Sequence, residues 1–391
     1  MRRIAAQYAV TNSGPPLKRA VITADDDGTI ISIDKSGSLS KEGSGIEFYN
    51  GIIIPGFVNC HCHLELSHLK NTIPQKTGLG EFLVHISNSR KHIHTDEASA
   101  AERASQSMVS EGVVACSDIC NTTVTFDLKR KSPLYYHNML EVFGLDPEKA
   151  QKRIDDISDV AAEAEKSGLP YSLVPHTAYT VSLPLFRLLK EKTRNNSITS
   201  IHFMETDGEA QFLKDLSGPI REALMVPGML KGTPELPASH ISAIFDEVTM
   251  SGNLILVHNT CADADTVRQV QKRGKTFWCL CPRSNMYIED KMPPAGMLYK
   301  EGCDIVIGTD SLASNTSLSI LPELKLIQEY FPGIALEELI KWATLNGAKA
   351  LCTEHIHGTI EPGKKPGLLL LENTDLLNFK LLPETIVTRL L

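Results

Sequence analysis

Long apolar runs are missing from this chain, and so are blocks of lysine and arginine. Without a run of roughly 20 apolar residues, no segment can cross a bilayer as a helix. The start, MRRIAAQYAVTNSG, has a basic dipeptide, but Gln7 and Tyr8 interrupt its apolar stretch, so it does not read as a signal peptide. A net charge of −8 argues against a nucleic-acid or anionic-membrane surface. The cysteine count, nine, is odd, and the thiols are scattered through strand-like segments, which suits a reduced cytoplasmic protein better than a disulfide framework. No short-period repeat or low-complexity segment appears. What remains is an ordinary globular composition, 42% hydrophobic and 22% charged, on a 391-residue chain long enough for a barrel with a small appendage.

The two ends read as β-structure. AVITADDDGTIISI carries two β-rich runs around Asp27-Gly28, a strong hairpin signal, and GTIEPGKKPGLLLLE sets short apolar runs between Pro and Gly turns. Residues 1–50 and 355–391 are therefore expected to build one small β-sandwich domain. Residues 51–354 alternate. Strand-like runs fall at Gly51–Asn59, Val113–Ile119, Leu134–Phe143, Tyr171–Pro175, Ile198–Phe203, Leu254–Val257, Thr276–Leu280 and Asp304–Gly308. Helical spacing lies between most of them, as in Glu148–Ser167 and Ala262–Arg273. That alternation predicts an α/β fold of the (β/α)₈ TIM-barrel type.

Six polar residues sit at or just past the C-terminal ends of those runs: His61, His63, His202, Glu205, His258 and Asp310. In a barrel these ends meet at one face, where such enzymes keep their active sites. In FVNCHCHLELS, strand alternation predicts His61 and His63 on one face and Cys60 and Cys62 on the other, toward the helices. The reverse assignment would give a Cys-x-Cys pair, which only Cys279 and Cys281 offer to complete. Three imidazoles and a carboxylate suit Zn²⁺ or Fe²⁺ with a position left for water, and bound Zn²⁺ can bring the pKa of that water to about 7. Asp310 would accept its proton, Glu205 would carry one to a leaving group, and His258 would steady the developing charge. Singly, each has a bland alternative: Asp310 in GTDS could cap a helix, and Glu205 could be a surface carboxylate.

Together with VPHTAYTVS, IHFMET, LVHNT, CPRSN and GTDSLASNTSLS, these residues resemble the amidohydrolase superfamily over nearly the whole chain. The resemblance is to the deaminase and chlorohydrolase branch that holds S-adenosylhomocysteine, guanine and aminofutalosine deaminases. It implies that His61, His63, His202 and Asp310 bind one divalent metal ion, with Glu205, His258 and Asp310 catalytic. Binuclear members bridge two metals through a carboxylated lysine on strand four; YSLVPHTAYT has none, which implies a mononuclear site. His176, Glu65, Arg283 and Ser314 match positions near the substrate, with Arg283 able to pair bidentately with a substrate carboxylate.

The implied reaction is release of ammonia from an amino-heterocycle such as aminodeoxyfutalosine or S-adenosylhomocysteine, in an enzyme that is often a homodimer. Hydrolysis of a cyclic amide, as in imidazolonepropionase, or of a triazine halide is the alternative within the scaffold, and an inactive metal-holding protein is the alternative outside it. Ser311 after Asp310 stands where many relatives have Gly, and GLLLLEN lacks the usual Ala-Asp. The Pro- and Gly-rich segment Leu213–Ala238 reads as a loop over the barrel mouth.

Overall fold

Residues 1–36, 45–92, 96–226, 228, 230, 232–239 and 241–391 are described by the computed structural model. The chain opens with strands β1 (Arg2–Ala9), β2 (Leu17–Lys18), β3 (Val21–Ala24), β4 (Ile30–Asp34) and β5 (Ile46–Pro55). Eight more follow, interleaved with helices: β6 (Phe57–Cys62), β7 (Val113–Cys120), β8 (Tyr135–Val142), β9 (Tyr171–Pro175), β10 (Ile198–Phe203), β11 (Asn253–His258), β12 (Thr276–Leu280) and β13 (Asp304–Ile307). Strands β14 (Leu368–Glu372) and β15 (Ile386–Arg389) close the chain. The expected β9, β10 and β12 spans coincide with the observed ones. The predicted run Gly51–Asn59 splits instead between β5 and β6, because the chain changes sheets at Gly56.

Both ends of the chain share one seven-stranded sheet, ordered β15-β14-β5-β1-β3-β4 with β2 on the side of β1. The hairpin expected at Asp27-Gly28 is the β3–β4 turn, where Gly28 takes a φ of +89° and Asp25 N–H bonds the Thr29 carbonyl at 2.8 Å. The eight middle strands form two parallel four-stranded sheets, β6-β7-β8-β9 and β10-β11-β12-β13. Every residue of β6, β7, β10, β11 and β12 is buried, as expected of parallel strands covered on both faces.

The two parallel sheets meet through single bridges. Cys62 pairs with Asp310 and Thr177 with His202. The His61 carbonyl accepts both the Thr309 and Asp310 N–H groups at 3.0 Å, and the His176 carbonyl accepts the His202 N–H at 3.0 Å.

Alternating strand residues fill two apolar layers. One packs Leu256, Trp278 and Ile305 against helix residues such as Ala101, Ile154 and Leu324. The other gathers Val58, Met139, Val174, Val257 and Val306 on the opposite strand faces, with Ala348 and Ala350 against them. Each such side chain, fully buried, contributes about 1.5–3 kcal/mol.

Strict alternation fails at the opening motif. The β6–β7 pairing shifts register between Asn59 and Cys62, so Cys60 packs with Cys279 and Cys281 in the inner layer while Cys62 packs with Cys116 against the helices. The two cysteines do not share a face. All nine thiols are free, and no helix among the described residues is long and apolar enough to cross a membrane.

The proposed mouth segment contains the short helix Pro219–Met225, with residues 227, 229 and 231 outside the described set.

A Cβ on Gly308, just past β13, would meet His61 Cβ at 2.8 Å and the Cys279 and Cys281 sulfurs at 2.9 Å. Gly308→Ala should lower the unfolding free energy by about 1–3 kcal/mol in urea melts. Gly333→Ala, with nothing within 4 Å of its Cβ, should leave the midpoint within error.

Candidate metal centre and active site

The strand ends bring five of the six singled-out residues to one point and the sixth beside it. His61 Nε2 and His63 Nε2 lie 3.1 Å apart, and Asp310 Oδ1 is 3.8 and 3.6 Å from them. One ligand atom each from His61, His63 and His202 fits within 4.8 Å. His258 stacks on the His202 ring with centroids 5.4 Å apart, and its Nε2 is 3.6 Å from Glu205 Oε1. Strained backbone aims several of these groups: Met204, His258, Asn259 and Asp310 all have φ between 49° and 76°. Non-glycine residues in that region cost of order 1–3 kcal/mol each and persist where the surroundings hold them.

Water exclusion sets the protonation states. Burial pushes His61 well below its ordinary pKa and takes His63 and His258 down to about 3, so all present neutral imidazoles at pH 7. His202 is lowered by burial too, and its Nδ1 lies 3.0 Å from the His176 carbonyl, which places the proton on Nδ1 and leaves Nε2 free. Burial, reinforced by the Asp310 charge, pushes Glu205 well above the carboxylate range, toward its neutral form. For Asp310 burial acts upward, but the neighbouring imidazoles and the Ser284 and Ser314 hydroxyls, at 2.6 and 2.8 Å from Oδ2, outweigh it and hold the carboxyl low.

This donor set fits a divalent cation. Two nitrogens bound ~2 Å from one tetrahedral ion lie about 3.3 Å apart, close to the His61–His63 separation. Two neutral ring nitrogens brought that close, with a carboxylate beside them, have a ready partner in a shared cation.

Ser314 is fully buried and ties Asp310 to Ser284, whose hydroxyls are 2.8 Å apart. His176 bonds the Thr180 hydroxyl through Nδ1 at 2.8 Å, and its ring lies 4.8 Å from that of His202. The Arg283 guanidinium bonds the hydroxyls of Ser317, at 3.2 Å, and Thr316, while its backbone N–H donates to Glu323 at 2.9 Å.

Glu65 is only 4% exposed, and its oxygens accept from the Asn121 and Thr122 backbone N–H groups and the Thr122 hydroxyl at 2.8–3.2 Å. It clamps the loop after β7.

One group escaped the sequence reading. Glu141 on β8 has a buried Oε1 with no hydrogen-bond partner, 3.6 Å from His202 Nδ1, and forms a second three-donor group with His176 and His202. The rule that found the other six, a polar side chain at the C-terminal end of a strand, would also have found it in YYHNMLEVFG.

A cavity of about 520 Å³ opens beside the centre between helices Gly78–His92 and Pro219–Met225. Thr206 and Gly208, just past Glu205, lie in its wall.

The model of the amidohydrolase family matches residues 52–388. The chain belongs to this family. Among curated relatives, the adenosine deaminase of Helicobacter pylori is 26% identical over 340 residues, covering 82% of this chain and 79% of that protein. Among solved structures, the Helicobacter pylori aminofutalosine deaminase in complex with methylthio-coformycin superposes with a TM-score of 0.80 at 22% identity, covering 95% of this chain and 92% of the other. An adenosine deaminase from Xanthomonas campestris with bound zinc matches at a TM-score of 0.70 and 19% identity, covering 96% and 85%. This amidohydrolase therefore has the TIM-barrel-type α/β fold, and its histidine cluster suits a divalent metal.

Two outcomes are expected of the site. His61→Ala should drop metal content to well under half an equivalent by elemental analysis after dialysis, with folding retained by circular dichroism. Glu209, whose carboxyl accepts from the Glu205 N–H at 3.1 Å, is raised by burial from 4.5 to about 7. A raised folded-state pKa means its stabilising contribution is complete below pH 4.5 and lost as pH rises through about 7. Glu209→Gln should therefore flatten the fall of melting temperature across that window.

Proposed function

We propose that this amidohydrolase is a deaminase that hydrolyses the exocyclic amine of an adenine nucleoside, with aminodeoxyfutalosine or S-adenosylhomocysteine as substrate. The observation that carries the reading is Glu205, buried, pushed by that burial toward its neutral form, and 3.6 Å from His258 at the histidine cluster. The ring nitrogen must gain a proton as the carbon beside it is attacked, and a carboxyl pushed toward its neutral form by burial can supply one.

His61, His63, His202 and Asp310 would hold one divalent ion, Zn²⁺ ahead of Fe²⁺. The donor set and the zinc-bearing Xanthomonas relative support that choice. A cation held there supplies a Lewis acid that makes a bound water nucleophilic near pH 7. Asp310 takes the proton of the attacking water, and the two serine hydroxyls on Oδ2 leave Oδ1 facing the imidazoles. The Asn285 amide, 3.3 Å from His258 Nδ1, leaves the His258 proton on Nε2, directed at the centre. Glu205 delivers its proton to the ring nitrogen next to the attacked carbon. Ammonia departs as the carbonyl forms: the proton passed through Asp310 completes the leaving group, and the remaining hydroxyl proton returns to Glu205.

Two observations support the substrate. Arg283 reaches the mouth with a guanidinium held only by the two loop hydroxyls, Ser317 and Thr316, among the described residues, and could turn to a carboxylate. The two Helicobacter pylori relatives carry adenosine and aminofutalosine in their names. His176, beside His202 in the same cleft, would contact the base, and Ser314 and Glu65 would act through Asp310 and the loop after β7.

The finer architecture belongs to this reading. The bridges Cys62–Asp310 and Thr177–His202 support a closed eight-stranded barrel over residues 51–354, and the shared seven-stranded sheet supports a β-sandwich domain from residues 1–50 and 355–391. Nine free thiols suit a reducing cytoplasm.

Ammonia release by metal-loaded protein against aminodeoxyfutalosine, S-adenosylhomocysteine, adenosine, guanine and cytosine tests the proposal. Turnover of one of the first three supports it, and silence across the panel with metal confirmed would sink it. Glu205→Gln should keep its metal and lose about 10²–10⁴ in kcat. If aminodeoxyfutalosine is the substrate, Arg283→Met should raise its KM and leave adenosine turnover unchanged.

A further inference from the structure

A lysine sits entirely inside the protein behind the metal-ligand strand. Lys129, on the short helix Phe126–Lys131, and Asp118, on β7, pair at 2.6 Å with both side chains fully buried. The remaining ammonium hydrogens are also engaged, with Asn138 Oδ1 at 2.7 Å and Cys120 Sγ at 3.0 Å. Burial acts against the Lys129 charge, but Asp118 outweighs it and holds the ammonium above its ordinary pKa.

Stability alone does not account for such a pair. Replacing a buried ion pair by apolar side chains of similar volume is often neutral or stabilising, because desolvation offsets the attraction. The second oxygen of Asp118 offers a different reason. Oδ1 accepts the Leu64 N–H at 2.8 Å, and Leu64 directly follows His63. Two features make that backbone segment dependent on an outside partner. The β6–β7 ladder shifts register between Asn59 and Cys62 and ends with the Cys62–Asp118 pair, so ladder pairing does not extend to Leu64. Leu64 also begins the 3₁₀ turn Leu64–Leu69, and His63 before it contributes no side-chain cap, so the first N–H of the turn would otherwise be orphaned.

We propose that Asp118, through the Oδ1 that accepts from Leu64, is the positioning residue that fixes the His63–Leu64 peptide and so presents His63 to the metal. The inference rests on the reading of His63 as a ligand. Groups outside the ligand sphere commonly change metal affinity by 10–100-fold when removed. Asp118 would act through the backbone, at the peptide that joins His63 to Leu64.

Two neutral replacements separate positioning from bulk stability. Asp118→Asn with Lys129→Met removes both charges but keeps an oxygen that can accept from Leu64. Asp118→Leu with Lys129→Met removes the charges and the acceptor. Zn²⁺ affinity, measured by competition with a chromophoric chelator, should weaken about 10–100-fold in the Leu/Met protein and stay within about threefold of the parent in the Asn/Met protein. The visible spectrum of the Co²⁺-loaded Leu/Met protein should shift, while both apo-proteins melt near the parent.

Equal affinities in the two variants would overturn the proposal, provided His63→Ala abolishes binding. Metal retained in His63→Ala would overturn the ligand reading and the proposal together. If the Leu/Met protein does not fold, amide exchange decides: slow exchange at Leu64 in the apo parent, accelerated in the Asn/Met protein by less than tenfold, supports the bond. Fast exchange in the parent refutes it.

Discussion

The site depends on one seam of backbone hydrogen bonds. The His61 carbonyl accepts from both Thr309 and Asp310, and the His176 carbonyl accepts from His202, at 3.0 Å in each case. Those bonds join two separate four-stranded sheets, and among the residues that make them His61, His202 and Asp310 belong to the side-chain cluster. A shift of one residue at either seam would turn one of the clustered side chains toward the helices, because strand faces alternate. The same contacts that hold the architecture together therefore fix the spacing of the donors.

Burial then does the electrostatic tuning. The imidazoles of His61, His63 and His258 are neutral and Glu205 is pushed toward its neutral form for the same reason, the loss of water around each. One physical cause thus leaves free lone pairs on the imidazoles and favours the neutral form of a carboxyl within one cluster. Asp310 escapes neutralisation because two serine hydroxyls and the imidazoles favour its ionised form. Acid and base are separated by local bonding, within a shared low-dielectric pocket.

Carboxylates at this face divide into those that face the centre and those that brace it. Glu65 was expected near the substrate, yet its oxygens are occupied by the loop after β7. Asp118 braces the opposite direction, from β7 back to Leu64. Together they stitch the ends of neighbouring strands where the regular ladder has lapsed. Arg283 likewise spans from its helix to the Thr316–Ser317 loop. Residue type cannot tell a brace from a contact, since both are charged groups at strand ends.

Local pattern alone determined a good deal: the β9, β10 and β12 spans, the β3–β4 hairpin, and the polar residues at strand termini that form the cluster. These arise from short-range periodicity and turn chemistry, which act within a few residues. Tertiary structure decided the rest. The register shift in β6 that sends Cys60 inward and Cys62 outward arises from pairing with β7, some fifty residues away. The bond from Leu64 to Asp118 and the place of Glu141 beside His202 depend on which strands become neighbours. Long-range pairing sets those distances, and no window of local sequence contains them.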